Sequence, residues 1–76
     1  MRGDDRRLVT IRTFTTALEA SLARGALEAA GIGALVPGEE LGTFRRNRGG
    51  ILEMDLQVFE ADRERALAVL EELEHG

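Results

Sequence analysis

Three arginines, Arg45, Arg46 and Arg48, fall within four positions and are followed at once by Gly49 and Gly50. Guanidinium forks bind phosphate or carboxylate through paired N–H donors, and glycine amides approach an oxyanion with no Cβ in the way. The chemistry this group could do is anion binding, with a nucleotide or another phosphorylated metabolite as the ligand class. The same arginines have an alternative fate, pairing in a solvated loop with acidic groups of their own chain. Residues 43–50 carry +3 while the chain as a whole carries −4, so the remainder holds −7 and offers such partners in number. Nothing here matches a Walker or dinucleotide fingerprint.

The other reactive residue types point to less. Phe44 is the one aromatic residue beside the arginines, whereas single-strand binders present several stacking rings, so nucleic acid is not an expected partner. A lone Phe more commonly anchors a loop on the core. Glu53 and Asp55 are spaced for one face of a strand, with nothing to desolvate them into an acid/base pair. His75 is one residue from the end of the sequence, and Ser21 has no base near it in sequence. With no cysteine there is neither a thiolate nucleophile nor a Cys-ligated metal. The expectation is therefore a protein that is not an enzyme and that has no cofactor and no metal. Glu71, Glu72 and Glu74 place negative charge where a helix dipole disfavours it, which suits a solvated face or a basic partner.

These groups must be positioned by a small scaffold. A chain of 76 residues hides about 60% of its unfolded surface, enough for one core and too little for a large enclosed active site. Residues 1–7 are polar and charged and are expected to form a flexible N-terminal tail, with a single domain over 8–74. Leu8–Thr13 alternates, with Val9 and Ile11 on one face and Thr10 and Arg12 on the other, as in a strand. Thr16 and Glu19 make a capping box at the start of a helix running to Ala30, where Gly31 supplies the left-handed stop. The apolar arc of this helix is wider than one sheet contact requires, which leaves a flank for a second helix or a partner subunit. Residues 32–36 form a short apolar run closed by Pro37-Gly38 and are assigned to a second strand, with a loop from 37 to 50. Residues 51–59 alternate again, Leu52, Met54, Leu56 and Val58 against Glu53, Asp55 and Gln57. A second helix follows, capped by Asp62, with Ala66, Val69, Leu70 and Leu73 as its stripe.

The expected fold is α+β, a ferredoxin-like βαββα chain with a small three-stranded sheet and two helices on one face. Thr10, Arg12, Glu53, Asp55 and Gln57 then share the face without helices, where Arg12 pairs with Glu53 or Asp55. That face, or a free strand edge, is the expected surface for a protein partner or for a homo-oligomer such as a dimer. No apolar stretch is long enough for a membrane span, the first seven residues lack the apolar core of a signal peptide, and acidic net charge opposes anionic membranes, so the cytoplasm is expected.

Glu19-Ala20 early in the first helix, Leu27-Glu28 before Gly31-Ile32 at its end, the glycine-containing loop, and the alternating strand leading into Asp62 and Ala66 resemble a small bacterial family, the prokaryotic signal transducing proteins. The resemblance covers roughly residues 8–73. It implies a ferredoxin-like fold loosely similar to the PII signalling proteins, and it carries no catalytic residues with it. The basic loop Thr43–Gly50 departs from the usual pattern. Together these readings point to a small non-enzymatic regulatory or protein-interaction module in signal transduction. The alternative is a monomeric sensor that binds a nucleotide or other phosphorylated metabolite through the arginine loop.

Overall fold

The alternating run 52–59 becomes the central strand, because only the middle of a small sheet has neighbours on both edges and a covered face. The computed structural model describes residues 6–75. Strand β1 is Leu8–Phe14, helix α1 Ala17–Ala29, strand β2 Arg45–Arg46, strand β3 Leu52–Phe59 and helix α2 Arg63–His75, with a 3-10 turn at Glu60–Asp62 before α2. The sheet order is β1-β3-β2 and both pairings are antiparallel. The βαββα order and the neighbouring first and third strands are as expected from the sequence. Residues 1–5 of the expected tail lie outside the described residues. Arg7 is tied down, since its carbonyl accepts from the Glu60 amide at 2.8 Å.

Met54, Leu56 and Val58 point to one side of β3 and meet Ala20, Ala23 and Leu27 of α1 and Ala66 and Leu70 of α2 in one buried cluster. Both helices therefore lie on the same face. Each fully buried Leu or Val in this cluster contributes about 1.5–3 kcal/mol by leaving water. Helix α1 starts as the capping box requires: the Thr16 hydroxyl oxygen accepts from the Glu19 amide at 3.2 Å. The Glu19 carboxylate turns to the Thr16 hydroxyl itself, which donates to it at 3.2 Å. At the other end Gly31, with φ +81°, donates to the Glu28 carbonyl while Ile32 donates to Leu27, a Schellman closure that carries buried Ile32 into the core.

The second strand is not where the apolar run placed it. Residues 32–36 make a single antiparallel bridge, Leu35 to Gln57, and the two-residue β2 lies further on, inside the segment expected to be loop. The reason is Pro37. In an antiparallel ladder the next hydrogen-bonded pair after Leu35–Gln57 joins residues 37 and 55, and proline has no N–H to give. The chain leaves the edge there and rejoins it at Arg45, opposite Glu53. Gly38 makes the excursion possible: its φ is +85°, and a Cβ would sit 2.6 Å from the Thr43 carbonyl oxygen. Half-buried Phe44 packs against the core as the excursion ends. Arg24 of α1 holds the segment through Glu39 at 3.1 Å.

A second departure is in β1. Its register slips by one residue between Thr10 and Arg12, so that Thr10 faces Gln57 while Arg12 faces Leu56 and Thr13 faces Asp55. This β-bulge at Ile11 reverses the faces of everything after it. Phe14 gains the core side opposite Met54, and Thr13 gains the open side. Arg12 is carried to the helix side, where its Nε donates to Glu74 of α2 at 3.1 Å and its Nη1 to the bulge carbonyl of Ile11 at 2.9 Å. It does not pair with Glu53 or Asp55. No helix among the described residues is long and apolar enough to cross a membrane.

Candidate functional site

The side of the sheet without helices is built from residues that alternate with the core. Reading across the strands, Leu8 stands beside Phe59, Gln57 between Thr10 and Leu35, and Thr13 beside Asp55, with Glu53 and Arg45 beyond. This places Thr10, Glu53, Asp55 and Gln57 together as the sequence indicates, and replaces Arg12 by Thr13.

The face divides into two halves. Around Glu53 and Asp55 it is a polar ladder. Arg45 Nη2 lies 2.9 Å from Glu53 Oε1 and 3.1 Å from Asp55 Oδ1. The Thr13 hydroxyl donates to Asp55 at 3.0 Å, and Asn47 Nδ2 donates to Glu53 at 3.4 Å. Gln57 closes the series by donating to the Thr10 hydroxyl at 3.2 Å. Such pairs in water contribute about 0–1 kcal/mol each, and their effect is to fix side-chain positions. The other half is apolar: Leu8, Leu35 and Phe59 are each between 43% and 46% exposed and line a shallow depression of about 290 Å³ with Gln57 at its floor. The sequence reading missed this half. The signal was present in Phe59, which shares the parity of Gln57, and it was hidden in Leu35 because a residue outside a regular strand has no parity to read.

The arginine loop is a hairpin between β2 and β3, and its donors are largely engaged. Asn47 Oδ1 accepts from the amides of Gly49 at 2.9 Å and Ile51 at 3.0 Å, and the Asn47 carbonyl accepts from Gly50 at 3.0 Å. The two glycine amides expected to cradle an oxyanion thus close the turn instead. Arg45 is held by the ladder, and Arg46 donates to the Gly50 carbonyl at 2.7 Å. Arg48 has no hydrogen-bond or ion-pair partner among the described residues. Gly50, at φ +82°, takes the left-handed conformation the turn needs.

Both sheet edges are blunted. β2 is two residues long, and β1 carries a bulge with a charged residue beside it, two devices that discourage strand addition from outside. Elsewhere, the Arg12–Glu74 pair lowers the Glu74 pKa, chiefly through the hydrogen bond, and raises that of Arg12 for the same reason. Glu60 is lowered by its hydrogen bond from Arg63, at 2.7 Å. Among the described residues no group of three or more His, Asp or Glu is gathered to hold a metal ion.

The family model described as "putative prokaryotic signal transducing protein" matches residues 8–74, from the first residue of β1 almost to the end of α2. The chain belongs to that family. No curated protein and no solved structure matches it. Within this family the match spans every element described above, so the bulge, the hairpin and the open sheet face all lie inside the family's own domain.

Proposed function

We propose that this domain is a small regulatory interaction module with no catalysis of its own, and that it docks a partner protein on the helix-free face of its sheet. The observation that carries this reading is the exposed cluster of Leu8, Leu35 and Phe59 beside an ordered polar ladder. An apolar centre flanked by fixed hydrogen-bonding groups is the usual anatomy of a protein interface. The blunted edges favour the face over the edge. A catalytic reading has little support, because Ser21 is exposed on α1, His75 ends α2, and neither lies in a cleft with the other.

The test is differential capture from a lysate of the encoding organism, using wild type, Phe59→Asp and, as a control on the helix side, Leu22→Asp. Proteins held by wild type and Leu22→Asp but lost by Phe59→Asp support the reading. Identical sets from all three overturn it.

The sensor reading keeps one observation in its favour, Arg48, which has no partner among the described residues and stands near Arg46 in the exposed hairpin. Amide shifts in residues 43–50 on adding a panel of nucleotides support it, and silence there removes it.

A further inference from the structure

One end of the molecule gathers features from four elements. The register of β1 against β3 puts Phe14 beside Met54, so the end of β1, the start of α1, the end of α2 and the β2–β3 hairpin all share that end. On the helix side of it lies a groove of about 310 Å³ with an apolar floor that includes Phe14, Leu22, Leu70 and Leu73, and with the carboxylates of Glu19 and Glu74 at its rim. Leu22 is 59% exposed and Leu73 47%. Glu71 adds a further negative charge close by, near enough to act on Arg12. Among the described residues Arg12 is the one cation paired into this group, through Glu74. On the sheet side of the same end stands the hairpin tip, with Arg46 and Arg48 lacking any carboxylate partner among the described residues and with half-exposed Ile51 next to them.

The groove thus asks for an apolar side chain flanked by cations, and the tip offers one. We infer that the occupant of the groove is the hairpin tip of a second copy of this chain, Ile51 entering over Leu22 and Leu73 while Arg46 and Arg48 meet Glu19 and Glu74. A two-fold axis through this end turns each tip toward the other chain's groove, so both contacts form at once and the assembly closes as a dimer. The surface is small and its charges are open to solvent, so the dimer is weak and weakens further as salt rises. The contact uses neither Leu8, Leu35 nor Phe59, and it leaves the helix-free face available.

Light scattering after size exclusion, over a wide range of concentration at low and high salt, tests this with four variants. The expected result is a concentration-dependent dimer that high salt dissociates, with Arg46→Glu/Arg48→Glu and Glu19→Arg each monomeric under the conditions where wild type pairs. Mixing those two variants in equal amounts restores a dimer, because the reversed tip of one then meets the reversed groove of the other while the second contact is wild type. Circular dichroism checks that each variant keeps its helices, and Leu22→Asp gives the same loss without touching a charged pair. Phe59→Asp leaves the dimer intact, which separates this contact from the sheet-face docking. A wild type that is monomeric throughout, a dimer indifferent to the variants, or a mixture that stays monomeric overturns the inference.

Discussion

Met54, Leu56 and Val58 are at most 2% exposed, whereas Glu53, Asp55 and Gln57, their immediate neighbours on β3, stand on a face that water reaches. The covered side draws its energy from excluding water, and every atom there is measured against a cavity. The open side exchanges bonds to water for bonds between side chains, at little net gain. A domain this small can therefore change its open side with little risk to its fold, and that is where a binding role can be written.

The contrast is broken most severely by Leu56→Ala, expected to cost about 2–5 kcal/mol in urea denaturation, against roughly 0.5 kcal/mol or less for Gln57→Ala next to it. Equal losses would show that the open side is also part of the core. Gly38→Ala comes second, at about 1–3 kcal/mol, because a side chain at φ +85° also collides with the Thr43 carbonyl. Thr16→Ala, which removes the α1 cap, should cost about 1 kcal/mol and lower helicity at the first turn. Arg45→Ala, the centre of the polar ladder, should cost under about 1 kcal/mol, and less still in high salt. The smallest effect is one of pH. Arg12 holds the Glu74 carboxyl below its ordinary value, so the unfolded chain takes up that proton more readily. The pair's contribution is whole above the ordinary glutamate range and is lost as pH falls through the lowered folded value. The stability difference between wild type and Glu74→Gln should accordingly be constant near neutrality and shrink in acid.

Much of the covered side was legible in the sequence, and less of the open side. The parity of 52–59 and the Thr16–Glu19 box each state a local rule strongly enough to survive folding. The bulge at Ile11 does not, since it goes with Phe14 packing on the core opposite Met54, a pairing between residues far apart in sequence. It moved Arg12 out of the open face and Thr13 in. The assignment of a strand to 32–36 failed on hydrogen-bond parity with β3, a relation between residues 37 and 55 that a linear pattern does not contain. The arginine loop stands out in the sequence as a local excess of positive charge. What its sequence did not reveal was that Asn47 would claim the glycine amides.

The stretch from Pro37 to Phe44 leaves the margin of β3 and returns to it a few residues along, so its two ends are pinned while its crest stands in water, with Leu41 81% exposed. Lengthening it between Glu40 and Leu41 keeps the Gly38–Thr43 clasp and disturbs no pairing, and each doubling of such a span costs only about 0.6 kcal/mol in closure entropy. That makes the crest of this detour the natural mounting point for a reporter.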